Sequence, residues 1–272
     1  MRALRSLACA SLCAAMALAA ASAIAAPAPA AAPVAQRVQQ RGELRVCIWP
    51  DYYGVSLRNP RTGQLAGIDI DLSAAFAADL KVPVRHVDSS FATLVDDLLQ
   101  DRCDVAMFAV GMTPQRARQL RFSRPYLESD IYAVTTRSSR VVQRWEDLDR
   151  PGVRVAVQAG TFMEPVMAGA LRHATLVVVS PPDTRERELE AGRVDAFMTD
   201  YPYSRRLLDV ADWARLVAPP SPFYVTPYAY AVKPGDAAWL SVVDDFVARI
   251  QRDGRLKAAA ERHGLGAIVR QK

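Results

Sequence analysis

The 272 residues are 51% hydrophobic and 23% charged, with 34 Lys and Arg against 29 Asp and Glu and a net charge of +5. That apolar fraction excludes intrinsic disorder, and the length allows one large or two ordinary domains with real cores. The basic residues are scattered among acids with no block of five like charges, so nucleic acid is not expected as a partner.

Arg2 and Arg5 precede an apolar stretch from Leu7 to Ile24, and Ala23-Ile24-Ala25 offers a small-x-small cleavage site. Residues 1–25 are therefore expected to be a cleaved signal peptide that sends the protein to the periplasm, taking Cys9 and Cys13 with it. The Ala- and Pro-rich run Ala26–Pro33 has nothing to bury, and residues 26–40 are expected to form a disordered leader.

Glu43–Trp49 alternates as a strand, with Leu44, Val46 and Ile48 on one side. A turn at Asn59–Gly63 leads to a helix over Leu72–Leu80, a strand at Val84–Val87, and a helix at Phe91–Gln100. Asp104–Val110 is apolar nearly throughout, as expected of a strand covered on both faces. The order β-α-β-α-β implies a parallel sheet wrapped by helices. The pattern then repeats: strand Val153–Val157, helix Glu164–Leu171, strand Thr175–Val179, helix Thr184–Ala191, strand Asp195–Met198. Two extended aromatic segments, Tyr126–Thr136 and Pro222–Val232, join the units. Helices at Ala237–Arg252 and Arg255–His263 close the chain.

The expected fold class is α/β, with two lobes that are each a mostly parallel sheet wrapped by helices and joined by two hinge crossings. Residues 41–132 and 227–272 would form the first lobe and 133–226 the second. Ligands of open α/β sheets bind beyond the carboxyl ends of strands, so two facing edges make a cleft that can shut over a small molecule.

Cys47 and Cys103 fall in or beside strands. An oxidising compartment permits a disulfide, but neighbouring parallel strands rarely present two Cβ atoms at bridging distance, which favours buried free thiols. There is no CxxC or HExxH, and His86, His173 and His263 lie far apart in sequence, so neither a metal nor another cofactor is expected.

Four short runs carry a family resemblance. Gly63-x-x-x-Gly67-Ile68-Asp69-Ile70-Asp71-Leu72, Asp104–Met107 followed by Met112-Thr113-Pro114-Gln115-Arg116, Phe122-Ser123-Arg124-Pro125-Tyr126, and Gly192–Ala196 with Thr199-Asp200 resemble, in order and spacing, the family 3 periplasmic solute-binding proteins. Members serve ABC importers, mostly for polar amino acids. The resemblance spans about Arg41 to His263. It implies a monomer that binds a small carboxylate-bearing solute, an amino acid by the family's habit, and delivers it to an inner-membrane ABC permease.

Residue by residue, Arg116 matches the family arginine that holds the ligand α-carboxylate, and a planar guanidinium suits that bidentate grip. Thr161, after Gly160 at a helix start, matches the residue that donates to the same carboxylate. Asp200 matches the acid that pairs with the ligand ammonium, while Asp195 is the structural acid of the two. Phe91 and Tyr52 match aromatic positions of the first-lobe pocket. Trp49 stands where many members carry an acid. Ala109 and Gly111 stand where members often carry hydroxyl residues, so backbone N–H groups must serve, and Phe162 replaces a polar position. The site is thus more apolar than that of a Lys, Arg, His or Gln binder, which admits an apolar amino acid or an organic acid without an ammonium.

The alternative is an enzyme resembling periplasmic cyclohexadienyl dehydratase, which shares this fold and acts on prephenate or arogenate. In Gly160-Thr161-Phe162-Met163-Glu164 the acid stands one residue later than in that enzyme's "G-T-x-E" element. Glu164 would be catalytic only on this reading, and binding is the expected function.

Overall fold

The computed structural model describes residues 32–270. The expected signal peptide and the first part of the leader lie outside the described residues. From residue 34, however, the expected leader is helical: α1 (Val34–Arg41) buries Val34 and Val38, one turn apart, against the core. Only two apolar anchors mark this helix in the sequence.

The order from there is β1 (Leu44–Ile48), β2 (Asp51–Tyr52), β3 (Ser56–Arg58), β4 (Leu65–Ala66), α2 (Ile68–Asp79), β5 (Val84–Asp88), α3 (Leu94–Leu99), β6 (Val105–Gly111), α4 (Pro114–Ala117), β7 (Arg121–Phe122) and β8 (Leu127–Ser129). The second unit runs β9 (Ile131–Thr136), β10 (Arg154–Gln158), α5 (Met163–Ala170), β11 (Thr175–Val179), α6 (Arg185–Glu190), β12 (Ala196–Asp200), α7 (Tyr201–Val210) and β13 (Ala214–Val217). The chain then returns through β14 (Thr226–Val232), α8 (Ala237–Asp253) and α9 (Arg255–Arg262). Most expected elements appear within a few residues of their sequence bounds. The additions are α1, α4, α7, β7, β13 and the small sheet β2-β3-β4.

Both large sheets are mixed rather than mostly parallel. In the first, β5, β1 and β6 are parallel, and β14 runs antiparallel to β6, β7 and β8. In the second, β11, β10 and β12 are parallel, and β9 runs antiparallel to both β12 and β13. The cause is connectivity. Parallel strands end at the cleft, whereas β9 and β14 enter their sheets from the cleft and must run the other way. Since β8 and β14 belong to the first sheet and β9 and β13 to the second, the chain crosses at Asp130 and again between Val217 and Thr226. Asp130 ties the crossings together: its carboxylate accepts the Phe223 N–H (2.8 Å) and the Tyr224 N–H (2.7 Å).

The two lobes share a local device. Asp104 accepts the Arg45 N–H and Asp195 accepts the Arg154 N–H, each at 2.8 Å, so an acid entering the third strand of each unit fixes the first. Asp195 is thus structural, as its sequence position suggests. In the first lobe, Phe76 of α2 packs on Trp239 and Phe246 of α8, with ring centroids 5.8 and 4.6 Å apart.

Cys47 and Cys103 form a disulfide, correcting the expectation of free thiols. Cys47 lies opposite Ala106 in the parallel ladder, but Cys103 precedes β6 and is free of ladder geometry, which lets its Cα approach to 5.5 Å. The bridge closes a loop of 56 residues. By loop entropy, reducing it should lower the unfolding free energy by about 4 kcal/mol. Urea titrations with and without a phosphine reductant measure this, and coincident midpoints would contradict it.

The Gly63–Leu72 run also has a physical reading. Gly67 sits at φ 141° before α2, and a Cβ there would lie 2.2 Å from the Val55 carbonyl oxygen, so any side chain would force α2 off the first sheet. Asp69 is fully buried and accepts from Tyr126 Oη (2.6 Å), Tyr230 Oη (3.0 Å) and the Ala109 N–H (2.8 Å). Ala109 lies in the left-handed region at φ 49°, where Met107, Phe108 and Ala109 of β6 bulge against the single Tyr230 of β14. Asp69 therefore pins a strained backbone on the floor of the cleft.

Burial pushes the Asp69 carboxyl up to about 6, against the pull of its three donors. Asp69→Asn puts an amide where only acceptors fit and should cost about 1–3 kcal/mol at neutral pH. A raised carboxyl binds its proton in the folded state first, so acidification from pH 7 to 4 stabilises the wild type through this group and not the variant. Chemical denaturation across that range should show the gap widening as pH falls; a constant gap would sink the assignment.

Candidate functional site

The residues singled out in the sequence converge where strands end. Trp49 follows β1, Phe91 follows β5, and Gly111 ends β6 with Arg116 on the helical turn after it. Gly160 and Thr161 follow β10, and Asp200 ends β12. All face the cleft between the two sheets, beyond the carboxyl ends of the parallel strands. Tyr52, from the small third sheet, joins them.

Arg116 is 6% exposed and bridges the lobes. Its Nη1 donates to the Gly111 carbonyl at 3.1 Å and its Nη2 to the Gly160 carbonyl at 3.0 Å. Its guanidinium carbon stands 5.2 Å from the Phe91 ring centroid. Thr113 caps its turn by accepting the Arg116 N–H at 3.2 Å. No carboxylate among the described residues lies within ion-pair distance. Burial pulls the guanidinium down to about 10, so it remains charged at neutral pH.

Gly160 makes the approach possible. At φ 75° a Cβ would meet Ala92 N and Cα at 2.6 Å, so only glycine lets the second lobe touch the loop carrying Phe91. Thr161 is buried, and its Oγ1 donates to the Gln158 carbonyl at 2.8 Å, which holds the turn before α5. Glu164 turns back on that turn: its Oε2 accepts the Gly160 N–H at 2.9 Å. It belongs to the wall of neither cavity described below.

Asp200 is 2% exposed and already well supplied with donors. Its Oδ2 accepts from Tyr52 Oη and, at 2.7 Å, from Tyr228 Oη, both from the first lobe. Its Oδ1 caps α7 by accepting the Tyr203 N–H at 3.2 Å. Burial raises the carboxyl, while the phenols, the N–H and the charge of Arg185 oppose that rise. Asp200 is thereby a contact that draws the lobes together.

Trp49 fills the rest with Tyr52, Phe91 and Tyr203, at centroid separations of 5.2, 5.3 and 6.4 Å. The room left inside is about 20 Å³, enough for about one water. Phe91, Thr161 and Phe162 also line an outer groove of about 840 Å³ that reaches Arg116. The lobes thus stand closed on an aromatic interior.

Sequence reasoning missed Tyr228, Tyr203 and Arg185. Alternation in Thr226–Val232 puts Tyr228 and Tyr230 on one face and could have flagged them. Arg185 begins α6 and Tyr203 stands in the first turn of α7, positions that carry no such signal.

Residues 44–266 match the profile of the bacterial extracellular solute-binding proteins, family 3. The chain is 30% identical over 221 residues to cyclohexadienyl dehydratase of Pseudomonas aeruginosa, covering 81% of this chain and 82% of that enzyme. It is 25% identical over 222 residues to the L-cystine-binding protein TcyJ of Escherichia coli, covering 82% of each. Among solved structures it resembles the ancestral amino acid-binding protein AncCDT-1, described as a precursor of cyclohexadienyl dehydratase. The TM-score is 0.76 at 28% identity, over 84% of this chain and 98% of that one.

Proposed function

Because the chain belongs to the family 3 bacterial extracellular solute-binding proteins, we propose that it is a periplasmic receptor that closes over a small carboxylate-bearing solute and presents it to an inner-membrane ABC permease. The observation that carries this reading is Arg116, a buried cation between the lobes with carbonyls for partners and no carboxylate among the described residues. A buried charge without a counter-ion is costly, and a ligand carboxylate gripped by the guanidinium would relieve that cost only when the cleft is shut. Binding and closure are then one event, which is what a receptor read by a permease needs. The apolar walls from Trp49, Phe91 and Phe162 favour an apolar body on the solute, and one named relative is a binding protein for the amino acid L-cystine.

A second reading, a dehydratase acting on prephenate or arogenate, is favoured by the 30% identity to cyclohexadienyl dehydratase. Against it, one oxygen of Glu164 accepts the Gly160 N–H and the side chain lines neither cavity. Incubating the purified protein with prephenate and following phenylpyruvate absorbance separates the two. Turnover would overturn the receptor reading. No turnover, together with a small acid retained in native mass spectrometry, is the expected outcome.

A further inference from the structure

The inner end of the cleft holds a second buried cation. Arg185 is 3% exposed, begins α6, and contributes to the wall of the inner cavity beside Asp200. Its guanidinium carbon stands 5.2 Å from the Phe197 ring centroid and 4.8 Å from that of Tyr203. Nη1 donates to the Met198 carbonyl at 2.7 Å, but Nε is buried with no acceptor. A buried guanidinium with an unused donor asks for an oxygen.

We infer that this site takes a carboxylic acid bearing an oxygen acceptor, such as a 2-oxo group, where an amino acid carries its ammonium. The inference rests on Arg116 as the carboxylate anchor and concerns only the group on the ligand carbon beside the carboxylate. Three observations converge. The acid that would receive an ammonium, Asp200, already accepts from two phenols and an N–H. The nearest cation to it in the wall is Arg185, which repels an ammonium and attracts an oxygen. And the anchor, Arg116, meets carbonyls and no carboxylate within ion-pair distance among the described residues, a charge that an anion offsets and a zwitterion does not.

The test is calorimetry with two matched trios that differ only at Cα. One is phenylpyruvate, 3-phenylpropanoate and L-phenylalanine; the other is 4-methyl-2-oxopentanoate, 4-methylpentanoate and L-leucine. The oxo acid of at least one trio should bind about tenfold or more tighter than its amino acid. Arg185→Met should erase that preference, since a hydrogen bond to a charged group is worth roughly ten- to a hundredfold. Arg185→Lys should restore part of it, which a purely structural role would not predict. Tighter binding of the amino acid, an unchanged preference in Arg185→Met, or no binding by any of the six acids overturns the inference. If an amino acid binds tightest and Arg116→Met loses it, only the inference about the inner end falls. If Arg116→Met binds any of them as the wild type does, the carboxylate reading falls as well.

Discussion

Arg116→Ala should lose measurable binding of any acid that the wild type holds at micromolar concentration. Removing one partner of a desolvated charge pair costs about 2–5 kcal/mol, roughly 30- to several-thousand-fold in affinity. The same substitution should leave the unliganded protein no less stable. Arg116 is buried between two carbonyls without a carboxylate, so its removal relieves a desolvation cost as it deletes two hydrogen bonds. Arg116→Lys keeps the charge but loses the planar fork, and should fall between the two. Calorimetry and thermal melts of the three forms measure both effects. Wild-type affinity in Arg116→Ala, or a melt lowered by many degrees with no change in affinity, would make this arginine merely structural.

Gly160→Ala should hold the lobes apart. The new methyl would need to stand 2.6 Å from Ala92 N and Cα, well inside contact distance, and its left-handed φ adds about 1–2 kcal/mol of strain. Opening the cleft resolves the clash, because Ala92 lies in the other lobe. Affinity should therefore fall at least about tenfold, with only a small loss of stability. Small-angle scattering should show no compaction on adding an acid that compacts the wild type. Gly169→Ala, at an open position, is the control and should close normally. A Gly160→Ala protein that compacts and binds like the wild type would show that the lobes meet elsewhere.

The sequence carried the fold further than the site. Strands such as Val105–Gly111 are buried at every residue and announce themselves as apolar runs. The mixed character of both sheets was hidden, because the direction of β9 and β14 depends on where each enters its sheet and not on its own composition. The helix α7 was missed although Pro202 stands in its first turn, a start signal rather than a break. At the site, Arg116, Thr161, Phe91 and Trp49 were assigned to the cleft by the family resemblance, with strand-end position in support for Arg116 and Thr161. Tyr52 was assigned there too, but not its bond to Asp200, since the two lie 148 residues apart and no local pattern links a carboxylate to a phenol on another sheet. The disulfide was misjudged by treating Cys103 as part of a ladder it only precedes.

The clamp at Asp130 bears on how a two-lobed solute-binding protein of this family can fail. One carboxylate grips the backbone of both inter-lobe strands, so neither can slide past the other without breaking two charge-assisted hydrogen bonds at once. The two crossings are thereby tied to each other at a single side chain. A substitution that removes this carboxylate would free the crossings from one another while every residue named in the cleft keeps its own contacts.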